Sequence, residues 1–86
     1  MDEIVYIGEF ENLAKRIGVE IRYLDGGPSG LCVVKGKRVM FIDRTLDKKS
    51  QLELFVQDFK TLDLEGYFIV PVIRKLLGLE SEQSDW

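Results

Sequence analysis

Ile7, Phe10, Leu13, Ala14 and Ile17 fall on one stripe when the chain is wound at 3.6 residues per turn, so the segment Gly8–Gly18 predicts an amphipathic helix. Gly18 follows Arg16 and Ile17, where a helix C-terminus favours a residue in the left-handed region. The preceding Glu3-Ile4-Val5-Tyr6-Ile7 fits either an extension of this helix or a short strand. The period then falls to two. Val19, Ile21 and Tyr23 point one way and Glu20 and Arg22 the other, as in a half-buried strand. Asp25-Gly26-Gly27-Pro28-Ser29-Gly30 is a dense turn signal. Beyond it, Leu31–Val34 and Arg38–Asp43 are β-branched and aromatic runs joined by Lys35-Gly36-Lys37, a tight hairpin with Gly36 supplying positive φ.

The helical period returns in the second half. Asp47 stands as an N-cap before Leu52, Phe55, Val56, Phe59 and Leu62, with Glu53, Gln57, Asp58 and Lys60 opposite. Asp63-Leu64-Glu65-Gly66 breaks that helix. Pro71 opens a last short one carrying Ile73, Leu76 and Leu77, closed by Gly78. The order α-β-β-β-α-α predicts an α+β domain, a small three-stranded antiparallel sheet with helices packed on one face.

With 86 residues, 45% of them hydrophobic, the chain makes one small domain with a thin core. Residues 1–79 carry twelve acidic and twelve basic side chains, so the expected domain, 1–79, is neutral. The net charge of −3 sits in residues 80–86, expected as a disordered acidic tail. A neutral body gives no footprint for nucleic acid. No apolar run approaches the roughly 20 residues that span a membrane. One cysteine excludes an intrachain disulfide, and the acidic Met1-Asp2-Glu3 is unlike a secretory signal, so the expected location is the cytoplasm.

The chain has no histidine. Ser-His and Cys-His nucleophiles, HExxH metal sites and imidazole general bases are therefore excluded. That exclusion bears on a resemblance. Leu13-Ala14-Lys15-Arg16-Ile17-Gly18-Val19-Glu20-Ile21-Arg22-Tyr23, then Ser29-Gly30-Leu31-Cys32-Val33-Val34 and Val39-Met40-Phe41-Ile42-Asp43-Arg44-Thr45-Leu46, are similar to the start and hairpin of the zincin-like metallopeptidase domain of the ImmA/IrrE type. The similarity spans about residues 10–62 and rests on patterning and glycine positions. In that family a helix bearing HExxH follows the hairpin. Here the first metal histidine falls near Val56, the catalytic glutamate near Gln57 and the second histidine near Lys60. Valine has no lone pair, lysine arrives protonated and glutamine is no general base. The resemblance implies a shortened, non-catalytic relative, and no cofactor is expected.

Five other features could carry function. Cys32 lacks a base to activate it and is expected as a small packing residue. Residues 26–30 lead into a strand rather than a helix, which argues against a phosphate cradle. Lys35, Lys37 and Arg38 make a hairpin-tip patch suited to discouraging edge pairing. Arg44, Asp63 and Glu65 form the candidate polar site, which an enzyme or small-ligand protein would use with Cys32 nearby. Tyr67-Phe68-Ile69-Val70 is more apolar than so small a sheet can cover and is the candidate interface. The leading expectation is a non-catalytic interaction or structural domain. It would form a homodimer, through a sheet edge or residues 67–77, or bind another protein.

Overall fold

The computed structural model describes residues 2–79, so the expected tail, 80–86, lies outside the described residues. The elements are α1 (Asp2–Ile17), β1 (Glu20–Leu24), β2 (Gly30–Val34), β3 (Lys37–Asp43), α2 (Lys48–Phe59) and α3 (Pro71–Leu76). Residues 3–7 belong to α1, because the stripe from Ile7 to Phe10, Leu13 and Ala14 runs unbroken across Gly8. Asp2 and Glu3 at its start and Lys15 and Arg16 at its end complement the helix dipole. The Val19 amide closes the helix on the Ala14 carbonyl at 2.9 Å.

The fold is α+β, but the sheet is mixed rather than antiparallel. Its order is β1-β3-β2, with β1 parallel to β3 and β2 antiparallel to it. Patterning alone reads the turn after β1 as a connection between neighbours, whereas residues 25–29 carry the chain across the end of β3 to its far side. The physical reason lies in β3. Val39, Met40 and Ile42 make it the most buried strand, and the central place gives its backbone partners on both sides. The β2–β3 connection is a hairpin of only two residues, Lys35 (φ 52°) and Gly36 (φ 81°), with Lys37 already in β3. Positive φ at both is the type I′ geometry that follows the strand twist.

Asp47 caps α2, its Oδ1 accepting from the Ser50 amide at 2.8 Å. Phe55 and Phe59 of α2 meet Phe10 of α1 at ring-centroid distances of 5.5 and 5.1 Å. Around them pack Leu13, Ile73 and Leu77 and, from the sheet, Met40 and Ile42. Register puts Ile21, Tyr23 and Leu31 on the same face as Met40 and Ile42. The opposite face carries Glu20, Arg22 and Leu24 from β1, Lys37, Val39, Phe41 and Asp43 from β3, and Cys32 and Val34 from β2. No described helix is long and apolar enough to cross a membrane.

Candidate functional site

Asp43, the last residue of β3, organises the loop that crosses above it. Its Oδ1 accepts from the Gly26 amide (3.0 Å), the Thr45 amide (2.9 Å) and the Thr45 hydroxyl (2.6 Å), while the Asp43 amide donates to the Ser29 hydroxyl oxygen at 3.0 Å. The Thr45 donors hold the Asp43 carboxyl below its ordinary range. Next to it Arg44 grips Asp25 with two bonds, Nε to Oδ1 and Nη2 to Oδ2, the latter at 3.0 Å. That pairing lowers the Asp25 pKa and raises that of Arg44. Both side chains are exposed, and together they staple the loop after β1 to the loop after β3.

Arg44 is therefore committed to Asp25 and does not meet Asp63 or Glu65. It precedes α2 whereas they follow it, and twelve helical residues set the two ends about 18 Å apart. Arg44 instead borders a groove with Glu11, Tyr23 and Lys48. Asp63 closes a local turn, its Oδ1 accepting from the Glu65 amide at 3.1 Å. The three residues make two separate pieces of turn chemistry. Cys32 is exposed on the open face of the sheet, which corrects its expected packing role: its alternation with Leu31 and Val33 turns it away from the helices.

Val56 is half-buried on α2, Gln57 is exposed, and Lys60 is the exposed C-cap residue. Among the described residues no group of three or more His, Cys, Asp or Glu side chains is placed to hold a metal.

The segment Tyr67–Val70 divides. Ile69 enters the core at 3% exposure and Val70 caps α3, while Tyr67 and Phe68 stay out at 43% and 70%. Arg16 holds the segment against α1 by donating to the Phe68 carbonyl at 2.6 Å. Behind it lies a cavity of about 410 Å³, walled by Phe59, Leu62, Leu64, Ile69 and Leu77 and bordered by Lys60, Glu65, Tyr67 and Arg74.

Three arrangements go beyond the sequence reading. Gln51 is 1% exposed and donates to the Leu46 (2.8 Å) and Arg44 (3.4 Å) carbonyls, fixing the loop before α2. The Tyr23 hydroxyl donates to Glu11, joining β1 to α1, and burial first and Glu11 second push the phenol pKa up. Asp58 faces β2: burial raises its pKa, and the Leu31 amide, bonded to it, pulls partly the other way. Only the helical position of Asp58, one residue before the buried Phe59, hinted at this. Compared with protein-family models, with curated proteins and with solved structures, the chain matches none.

Proposed function

We propose that this chain is a non-catalytic interaction domain that acts as a homodimer, two copies meeting through the open face of the sheet. One observation carries the reading: helices cover one face of the sheet, while the other presents exposed Leu24, Cys32 and Val34 beside half-buried Phe41. A sheet face that is wholly solvated normally alternates to polar residues, whereas this one is polar only at two corners, Asp43 at one and Glu20, Arg22 and Lys37 at the other. There Glu20 pairs with Arg22 and with Lys37, the latter at 3.3 Å, and Val39 between them is 2% exposed without joining the core.

Charge favours a second copy as the occupant. Glu20 and Asp43 balance Arg22 and Lys37, so two such faces related by a two-fold axis meet without net repulsion. The edge of β2 is the weaker alternative, because Asp58 sets a carboxylate against its Leu31 amide. Light scattering on the full chain tests the reading. Wild type and Phe68→Lys should have twice the 9.9 kDa chain mass, and Val34→Lys and Phe41→Glu the single mass. A monomeric wild type at high micromolar concentration contradicts the proposal. Loss of the dimer in Phe68→Lys with retention in Val34→Lys would move the interface to residues 67–77.

A further inference from the structure

The two edges of the sheet differ. On β2 the outward Leu31 amide meets the Asp58 carboxylate, which shields that edge. On β1, residues 20, 22 and 24 turn their main-chain groups to β3, the Leu24 carbonyl accepting from the Arg44 amide at 2.8 Å. The N–H and C=O groups of Ile21 and Tyr23 therefore point away from the sheet, and among the described residues nothing bonds to them. Beside this edge runs a groove between β1 and α1, with Val19, Ile21 and Tyr23 on one side and Asn12 and Lys15 on the other. Outward main-chain groups two residues apart match the repeat of another extended backbone.

Pairing there fixes where the partner's side chains go. Those opposite Ile21 and Tyr23 lie on the helix side, over the apolar floor of the groove, and the one opposite Arg22 lies on the open face. Charge sets the rest. Both carboxylates at the groove are taken: Glu11 accepts from the Tyr23 hydroxyl, and Glu20 is shared by Arg22 (2.5 Å) and Lys37 (3.3 Å). Lys15 has neither a hydrogen bond nor an ion pair among the described residues. The unanswered charge along this edge is positive. We infer that the β1 edge binds an extended segment of another protein as a fourth strand, apolar opposite Ile21 and Tyr23 and acidic opposite Arg22. This does not depend on two copies pairing through the open face.

The test is amide hydrogen exchange of the full chain, followed by NMR, with the capped peptide Thr-Val-Glu-Val-Thr as probe. At millimolar peptide, exchange of the Ile21 and Tyr23 amides should slow several-fold, equally in wild type and in Val34→Lys. The same peptide N-methylated at both valines should give no slowing. In Ile21→Pro the lost N–H is the outward one, so the ladder to β3 remains while the edge is blocked. This variant, checked for an unchanged circular dichroism spectrum, should not respond to the peptide at Tyr23. Arg22→Glu should weaken the response several-fold and strengthen that to Thr-Val-Lys-Val-Thr. Absence of slowing in wild type at millimolar peptide would overturn the inference, as would equal slowing by the N-methylated peptide or a response unmoved in Arg22→Glu. Slowing without peptide that grows with protein concentration would also overturn it, by making a second copy the occupant.

Discussion

Asp58 lies in the last turn of α2 with its Oδ2 buried and without a hydrogen-bond partner. Burial is the largest influence on its pKa and raises it, and a carboxylate near a helix C-terminus is also disfavoured by the dipole. With the folded pKa above the unfolded one, the native state binds more protons in the interval between them. Stability therefore falls as pH rises through that interval and is regained on acidification towards the ordinary value of 3.8. Asp58→Asn keeps an acceptor for the Leu31 amide and removes the charge. It should stabilise the domain at pH 7 by about 0.5–1 kcal/mol, an advantage that shrinks as the pH is lowered. Urea titrations of both proteins at several pH values measure this; equal midpoints throughout would refute it. Gln51 makes the complementary case. Gln51→Leu fills the same space but leaves the Leu46 and Arg44 carbonyls without their donor, and should cost about 1–2 kcal/mol in the same titration. Neither role was legible in the sequence. A polar residue in a helical pattern reads as solvent-facing, and only the tertiary fold brings the loop carbonyls or the β2 amide to it.

At the scale of elements, the periodicities of α1, α2 and the strands were legible because each has a single buried stripe or face. So were the Asp47 cap, the start of α3 at Pro71 and the glycine in the hairpin, since local chemistry sets them. Strand order was not. β1 is five residues long, and its alternation is the same whether it lies antiparallel to β2 or parallel to β3; only burial of β3 on both flanks decides. The loop that makes the crossing possible depends on Asp43. Asp43→Ala removes the acceptor of three hydrogen bonds and should destabilise the domain by about 1–2 kcal/mol, with amide exchange accelerated at residues 25–29 before the rest. In the hairpin Lys35 holds a φ of 52°, a region asparagine enters at lower cost. Lys35→Asn should raise the thermal midpoint by the equivalent of about 0.5 kcal/mol, and a lowered midpoint would contradict the type I′ assignment.

The whole molecule is two layers, 17 Å across its shortest principal extent, with one core between the helices and one face of the sheet. So small a domain is worth about 4–13 kcal/mol. Phe10, fully buried at the centre of the three rings, is a large part of that: Phe10→Ala should cost about 3–5 kcal/mol. Arg44 is kept apart from Asp63 and Glu65 at this scale, because the whole of α2 lies between them. The open face is visible only from register, which sets Leu24, Phe41, Cys32 and Val34 in a diagonal row across it. Cys32, the single thiol of the sequence, lies exposed on that face, so pairing through it would cover the thiol. The decisive measurement is the rate at which a thiol reagent modifies Cys32 over a range of protein concentrations spanning low to high micromolar. If two copies pair through this face, modification is fast in dilute solution and slows as copies cover the thiol, with no such slowing in Val34→Lys. A rate constant for wild type that stays the same at every concentration would contradict it.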